Sequence, residues 1–156
     1  MPNHCYNRVR LYSDKKEDIK KLLDIFESGT NPKNDKTVFG QIIPEPDWHN
    51  IPDENGDLPV KNDHKNKDGV SVWTSWDFPS GKNDDRWYNW RINNWGTKWD
   101  CYDLSIEEED ENGLELQFNT AWSPPEEIFR AIRDKYEDVS ISWFYDEPGC
   151  ELAGYL

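Results

Sequence analysis

The stretch YDLSIEEEDENGLELQFN, residues 102–119, decides the fold class. Apolar residues alternate with polar ones from Tyr102 to Ile106, and the same alternation returns after Asn112 and Gly113. This period of two is typical of strands that bury one face, and an Asn-Gly pair between two such runs is typical of a hairpin. The stretch therefore predicts two antiparallel strands with one apolar face and one acidic face.

A helix and two further strands are predicted after this hairpin. Ser123 and Glu126, separated by two prolines, have the spacing of a capping box with proline at the first helical position. Apolar residues then recur at helical spacing up to Tyr136. Alternation over 139–143 predicts a strand, and residues 150–156 predict a last one.

Before the hairpin, residues 6–12 predict a strand with Val9 on one face and the two arginines, Arg8 and Arg10, on the other. Asp14 and Glu17 have the spacing of a capping box that opens a helix. Gly29 stands where a left-handed C-cap would end that helix.

A long insertion, about residues 30–98, separates this first unit from the hairpin. Residues 30–70 are rich in Pro, Asn, Asp and Lys, which predicts a partly ordered segment with a mobile portion near residues 53–69. Residues 70–78 fit an irregular strand or a loop. Residues 84–95 predict a Trp-rich helix. Because the insertion is too polar for a second core, we expect residues 1–156 to form a single domain.

Without the insertion, the element order is β-α-β-β-α-β with one added strand. This order is the split β-α-β pattern of ferredoxin-like folds. The sequence therefore predicts an α+β fold in which an antiparallel sheet carries two helices on one face.

Three strings strengthen this interpretation: WYNWRINNWGTKWD at 87–100, FNTAWSPP at 118–125 and DEPGCELAGY at 146–155. Together they resemble the YubB ferredoxin-like domain family, which is found in phage and plasmid accessory proteins. The resemblance implies the same fold and an origin in a mobile genetic element. It implies no catalytic residues.

The negative charge is concentrated in the last third of the chain. The net charge is −14, of which residues 1–99 contribute −1 and residues 100–156 contribute −13. A field of this sign repels nucleic acid and favours a basic protein surface, or it serves only to keep the protein soluble. The predicted partner-binding residues are the acidic run at the hairpin: Glu107, Glu108, Glu109, Asp110 and Glu111.

The chain contains nine tryptophans, and six of them lie between residues 73 and 99. They fit either core packing or an exposed aromatic surface that stacks on a ligand. The predicted ligand-binding residues of such a surface are Trp87, Trp90, Arg91, Trp95, Lys98 and Trp99. The alternative is that Arg91 stacks on Trp87 and Lys98 pairs with an acid.

The sequence offers no recognisable catalytic set. It lacks a Gly-x-Ser-x-Gly elbow, a glycine-rich phosphate loop and zinc spacing of His and Cys. We therefore expect no cofactor and no metal. Three cysteines that cannot all pair, no signal peptide and no long apolar run predict a reduced compartment, the cytoplasm of a bacterial host.

These observations favour a non-enzymatic, protein-binding accessory protein of a phage or plasmid that blocks a host nucleic-acid-binding or defence protein. The first alternative is a small-ligand or single-stranded nucleic-acid binder that uses the Trp-rich surface. The second is an enzyme. The strand at 150–156 can also pair with a second copy, which would give a homodimer.

Overall fold

A computed structural model describes residues 3–156, in which seven strands, four α-helices and two short 3-10 helices form. The strands are β1 (His4–Tyr12), β2 (Val60–Lys65), β3 (Ser71–Asp77), β4 (Tyr102–Glu109), β5 (Gly113–Ala121), β6 (Ser140–Glu147) and β7 (Leu152–Tyr155). The α-helices are α1 (Lys16–Gly29), α2 (Val38–Ile42), α3 (Arg86–Trp95) and α4 (Glu126–Lys135). The 3-10 helices are Trp48–Asn50 and Pro148–Cys150.

The described chain divides into two compact units. The sheet unit comprises residues 3–44 and 91–156, and the hairpin unit comprises residues 45–90. The boundary falls within α3. The sequence predicts a single domain with an insertion at about residues 30–98, and this domain organisation stays a prediction.

The sheet unit contains one antiparallel sheet with strand order β4-β5-β1-β6-β7. Without β7, this is the strand order that a split β-α-β connection produces. The predicted α+β, ferredoxin-like fold with an extra C-terminal strand is confirmed. The pairing of β4 with β5 is interrupted by two register shifts, between Tyr102 and Ser105 and between Ile106 and Glu108.

The core lies between the helices and one face of this sheet. Every second residue of β1, from Cys5 to Leu11, is buried. Phe118 of β5 is at the centre, because its ring centroid lies 6.3 Å from that of Phe26 in α1 and 5.7 Å from that of Trp143 in β6. Alternation along the strands thus gives one covered face and one open face.

The start and the end of α1 both differ from the prediction. The capping box is wrong: the N-cap is Lys15, which makes no side-chain cap hydrogen bond, and Ser13 Oγ accepts from the Lys15 N–H at 3.1 Å. Gly29 is not a left-handed C-cap, since it lies inside the helix before Thr30. Glycine is required there because a Cβ would come within 2.5 Å of Val38 Cγ2.

The predicted capping box of α4 is also wrong. The N-cap is Pro125, which makes no side-chain cap hydrogen bond. The Ser123 hydroxyl instead donates to the carbonyl oxygen of Gly96 at 2.7 Å. The serine therefore ties the end of α3 to the segment before α4.

The hairpin unit contains a strand where the sequence predicts a mobile segment. Strands β2 and β3 pair antiparallel, with a register shift after His64. The β2 sequence is too polar to show strand alternation, but the His64 ring stacks on Trp73 at 3.6 Å between centroids. Such ring contacts across the strands compensate for the missing apolar face.

Candidate functional site

The acidic run, Glu107–Glu111, lies at one corner of the sheet. Its first three residues end β4, and Asp110 and Glu111 form the turn to β5. All five side chains are exposed. The turn is held by Asp110 Oδ1, which accepts from the Asn112 N–H at 2.8 Å, so the run has a defined backbone.

Most of these carboxylates have no cationic partner among residues 3–156. Lys16 Nζ lies 2.7 Å from Glu111 Oε2, and this is the one ion pair that the run makes within residues 3–156. Arg10 lines an open pocket of about 430 Å³ together with Glu108 and Glu109, but its Nε pairs with Glu115 Oε2 at 3.4 Å. The run therefore presents net negative charge to solvent.

The Trp-rich segment does not form one surface. Trp95 is only 1% exposed, its Nε1–H donates to the Ile43 carbonyl oxygen at 3.0 Å, and its ring contacts Phe39 edge-on. The prediction that Trp95 belongs to an exposed ligand-binding surface is therefore wrong, because its ring is part of the core. The Arg91 guanidinium lies 5.0 Å from the Trp95 ring centroid.

The other predicted residues of this set have mixed environments. Lys98 Nζ lies 4.5 Å from the ring centroid of Trp99, which is 37% exposed. Trp87 and Trp90 belong to the hairpin unit, and both are half-buried. The ring of Trp87 contacts Tyr88 edge-on at 5.7 Å. The tryptophans thus divide between core and surface, as the two interpretations of the sequence allowed.

The open face of the sheet brings together residues that the sequence analysis did not combine. Arg8 of β1 lies opposite Gln117 of β5 and Phe144 of β6. The next row places Tyr6 opposite Asp146. The alternation of residues 6–12 showed the arginines on one face, but their neighbours come from strands more than 100 residues away, so spacing could not reveal this cluster.

Two open pockets lie on this face and share Arg8 and Phe144. One, of about 260 Å³, is lined by Arg8, Arg10, Ser142, Phe144 and Tyr155. The other, of about 210 Å³, is lined by Tyr6, Asn7, Arg8, Gln117, Phe144 and Asp146. The rings of Phe144 and Tyr155 contact each other at 5.3 Å between centroids.

At the rim of the open face, Tyr102 Oη lies 2.5 Å from His4 Nδ1. Burial raises the pKa of Tyr102, and the negative charge of Asp103 raises it further. The phenol is therefore neutral at physiological pH.

Within residues 3–156, no group of three or more His, Cys, Asp or Glu side chains could hold a metal ion, and no helix is long and apolar enough to cross a membrane.

An antiparallel sheet of split β-α-β order with helices on one face defines a protein of the ferredoxin-like class. Residues 101–156 match the family described as the ferredoxin-like domain in Api92-like protein. A protein of Escherichia coli strain K12, called uncharacterized protein YubB, is 28% identical over 69 residues, which are 44% of this chain and 48% of that protein. The chain thus spans about half the length of this relative.

The crystal structure of Api92 from Yersinia pseudotuberculosis is similar over nearly the whole chain. The TM-score is 0.51, the identity is 13%, and the match covers 99% of this chain and 93% of that one. At this identity the likeness shows the fold alone. These matches bear out the resemblance found in the sequence: residues 101–156 match the ferredoxin-like domain of the Api92-like family, and the chain as a whole has the fold of Api92.

Proposed function

We propose that this chain is a non-enzymatic, protein-binding accessory protein of a phage or plasmid, and that the acidic run docks on a basic protein surface in the cytoplasm of a bacterial host. One observation carries the proposal: five consecutive exposed carboxylates, of which only Glu111 has an ion-pair partner in the described chain. Solubility needs dispersed charge, whereas this charge is concentrated on a hairpin.

The position of the acidic run on the hairpin of β4 and β5 favours binding of a protein partner over a role limited to repelling nucleic acid. Because the run is anchored by β4 and by the Asp110 turn, little backbone freedom has to be lost on binding. A concentrated negative field also accelerates encounter with a positively charged partner and rejects partners of the same sign.

The finer proposal is that the partner normally holds nucleic acid, as a host defence protein does. Residues along a strand are about 3.4 Å apart and successive side chains point to opposite faces, so side chains on one face are about 7 Å apart, about twice the axial spacing of phosphates along one DNA strand. Glu108 and Glu109 of β4 therefore present their carboxylates to opposite faces, and the likeness to nucleic acid lies in the density of negative charge. A groove built for phosphates would accept such a charge density.

The test compares capture of host proteins by the wild-type chain with capture by a variant in which residues 107–111 are all lysine. We expect the variant to lose proteins that the wild type retains at physiological salt, and we expect added single-stranded DNA to displace those proteins from the wild type. Both effects should weaken at high salt, because exposed charges are screened.

A matched variant separates position from total charge. It carries the same five charge reversals at exposed acids elsewhere: Glu27, Asp35, Glu54, Asp63 and Asp68. We expect this control to capture the same proteins as the wild type. Equal capture by the wild type and the 107–111 variant would refute the proposal, and retention that DNA does not reduce would refute its finer form.

A further inference from the structure

Independently of the acidic run, we propose that the open face of the sheet binds a free nucleotide, with its phosphate at Arg8 and Arg10 and its base at Tyr6. The two pockets that share Arg8 and Phe144 carry this inference. Each is smaller than the range of about 300–1,000 Å³ that is typical of small-molecule sites, so a nucleotide would have to span both.

The first pocket has the chemistry of a phosphate site. Arg8 makes no ion pair with any residue in 3–156, and it is exposed in an otherwise acidic chain. Arg10 has its Nε near Glu115, so its outer N–H groups can still donate. The Ser142 hydroxyl lies in the same pocket. Guanidinium groups match phosphate oxygens in pairs, and such bonds are stronger than neutral ones.

The second pocket has the chemistry of a base site. Tyr6 is 50% exposed, so its ring is available for stacking. Gln117 and Asp146 line the same pocket and supply acceptors for an exocyclic amino group of a base. Four-stranded sheets with exposed aromatic residues on their central strands stack bases in this manner in RNA-recognition modules.

The net negative charge of the chain favours a single nucleotide over a long nucleic-acid strand as the ligand. A polymer would bring many phosphates into the field of a chain with net charge −14, whereas one phosphate is held mainly by the two nearby arginines. We therefore expect oligonucleotides to bind no more tightly per site than the mononucleotide does.

The test is calorimetric titration of the full chain with AMP, GMP, CMP and UMP, with adenosine, inorganic phosphate and an oligodeoxyadenylate as comparisons. At least one nucleotide with an exocyclic amino group should bind more tightly than adenosine or phosphate alone. In a ¹⁵N–¹H spectrum, the shifted amides should be confined to β1, β5, β6 and β7.

Arg8→Gln should weaken nucleotide binding about tenfold, because one charge-assisted contact is lost. Tyr6→Leu should weaken it by a similar factor, about tenfold, through loss of stacking. Arg8→Lys keeps the charge but not the paired geometry, so we expect an intermediate loss. The matched control is Arg133→Gln on α4, which removes an exposed arginine away from this face and should leave binding unchanged.

The proposal is overturned if no nucleotide binds at millimolar concentration, or if Arg8→Gln binds as the wild type does. If the oligonucleotide binds more tightly per site than the mononucleotide, the choice of a single nucleotide as the ligand is overturned. Thermal unfolding of each variant shows whether the fold is intact, and Arg8→Lys provides the comparison if Arg8→Gln fails to fold.

Discussion

The carboxylate of Asp100 accepts a hydrogen bond from the backbone N–H of Phe39 at 2.9 Å, and its second oxygen accepts one from Val38 at 3.0 Å. A residue 61 positions away in the chain thus satisfies the first donors of α2. Burial raises the pKa of Asp100, while these hydrogen bonds act to lower it. The contact fixes the position of Phe39 in the aromatic core.

Asp100→Asn should reduce the free energy of unfolding by about 1–3 kcal/mol, because an amide offers one acceptor oxygen and leaves one N–H without a partner. Urea denaturation measures the change. Asp35→Asn makes the same chemical change at an exposed position and should have almost no effect. Equal stability of Asp100→Asn and the wild type would show that the cap contributes nothing.

The hairpin unit should lose stability in acid through Asp84. The hydrogen bonds that Arg86 donates hold the pKa of Asp84 below its usual value of 3.8. Because the folded state binds this proton more weakly than the unfolded state, the stabilisation is complete above pH 3.8 and is lost as the pH falls through the lowered pKa.

The hydrogen-exchange rates of the β3 backbone amides measure this loss of stability within the hairpin unit. In Asp84→Asn we expect faster exchange at neutral pH and a flatter pH dependence below pH 3.8. Glu54→Gln, at an exposed position of the same unit, serves as the control and should retain the wild-type profile. An unaltered acid profile in Asp84→Asn would contradict the assignment.

Cys150 should be the most readily alkylated of the three cysteines, since Cys5 and Cys101 are buried. Burial raises the pKa of Cys5 to about 11. A hydrogen bond with the neighbouring Glu147 carboxylate raises the pKa of Cys150 above 9.0, which slows its reaction near neutral pH.

Glu147→Gln removes that negative charge, so iodoacetamide should modify Cys150 several-fold faster. Peptide mass spectrometry measures the rate for each cysteine. Asp134→Asn, at an exposed acid of α4, provides a control with the same loss of charge. If both variants react at the wild-type rate, Glu147 does not control the thiol.

Gly96 should not tolerate alanine. Its φ is +87°, and a Cβ would lie 2.7 Å from the backbone nitrogen of Glu126. The conformation costs an L residue about 1–2 kcal/mol, and the overlap adds about 1–3 kcal/mol. Gly69→Ala has a similar φ of +78° and open space around it, so it should show the conformational cost alone. Equal effects in the two variants would mean that the close approach is unimportant.

Local patterning predicted the sheet unit well because its strands bury one face. β1, β5 and β6 alternate strictly enough for the burial of Val9, Leu116 and Trp143 to be read from the chain. Of the two strands of the hairpin unit, only β2 was missed, because it has no apolar face and its support comes from rings such as Trp73. Both capping boxes failed because Asp14 accepts a hydrogen bond from the Tyr12 hydroxyl and Ser123 donates one to the Gly96 carbonyl.

The sequence predicted the location of the acidic run on a hairpin, whereas it did not predict the pockets on the open face. A contiguous run needs only the chain order to be recognised. The pockets need the register of three strands, which puts Arg8 beside Phe144 and Tyr155. For Trp95 the sequence left both core and surface open, because composition does not decide where an aromatic side chain lies, and the structure places it in the core.

The two register shifts of β4 have a consequence for how the protein behaves at high concentration. An edge strand with a regular backbone and uncharged side chains can pair with an edge strand of another molecule and so extend the sheet. Here the strand is interrupted twice and bears Glu107–Glu109 at its end. The carboxylates that are proposed to attract a partner therefore also keep β4 from pairing with the edge strand of another molecule.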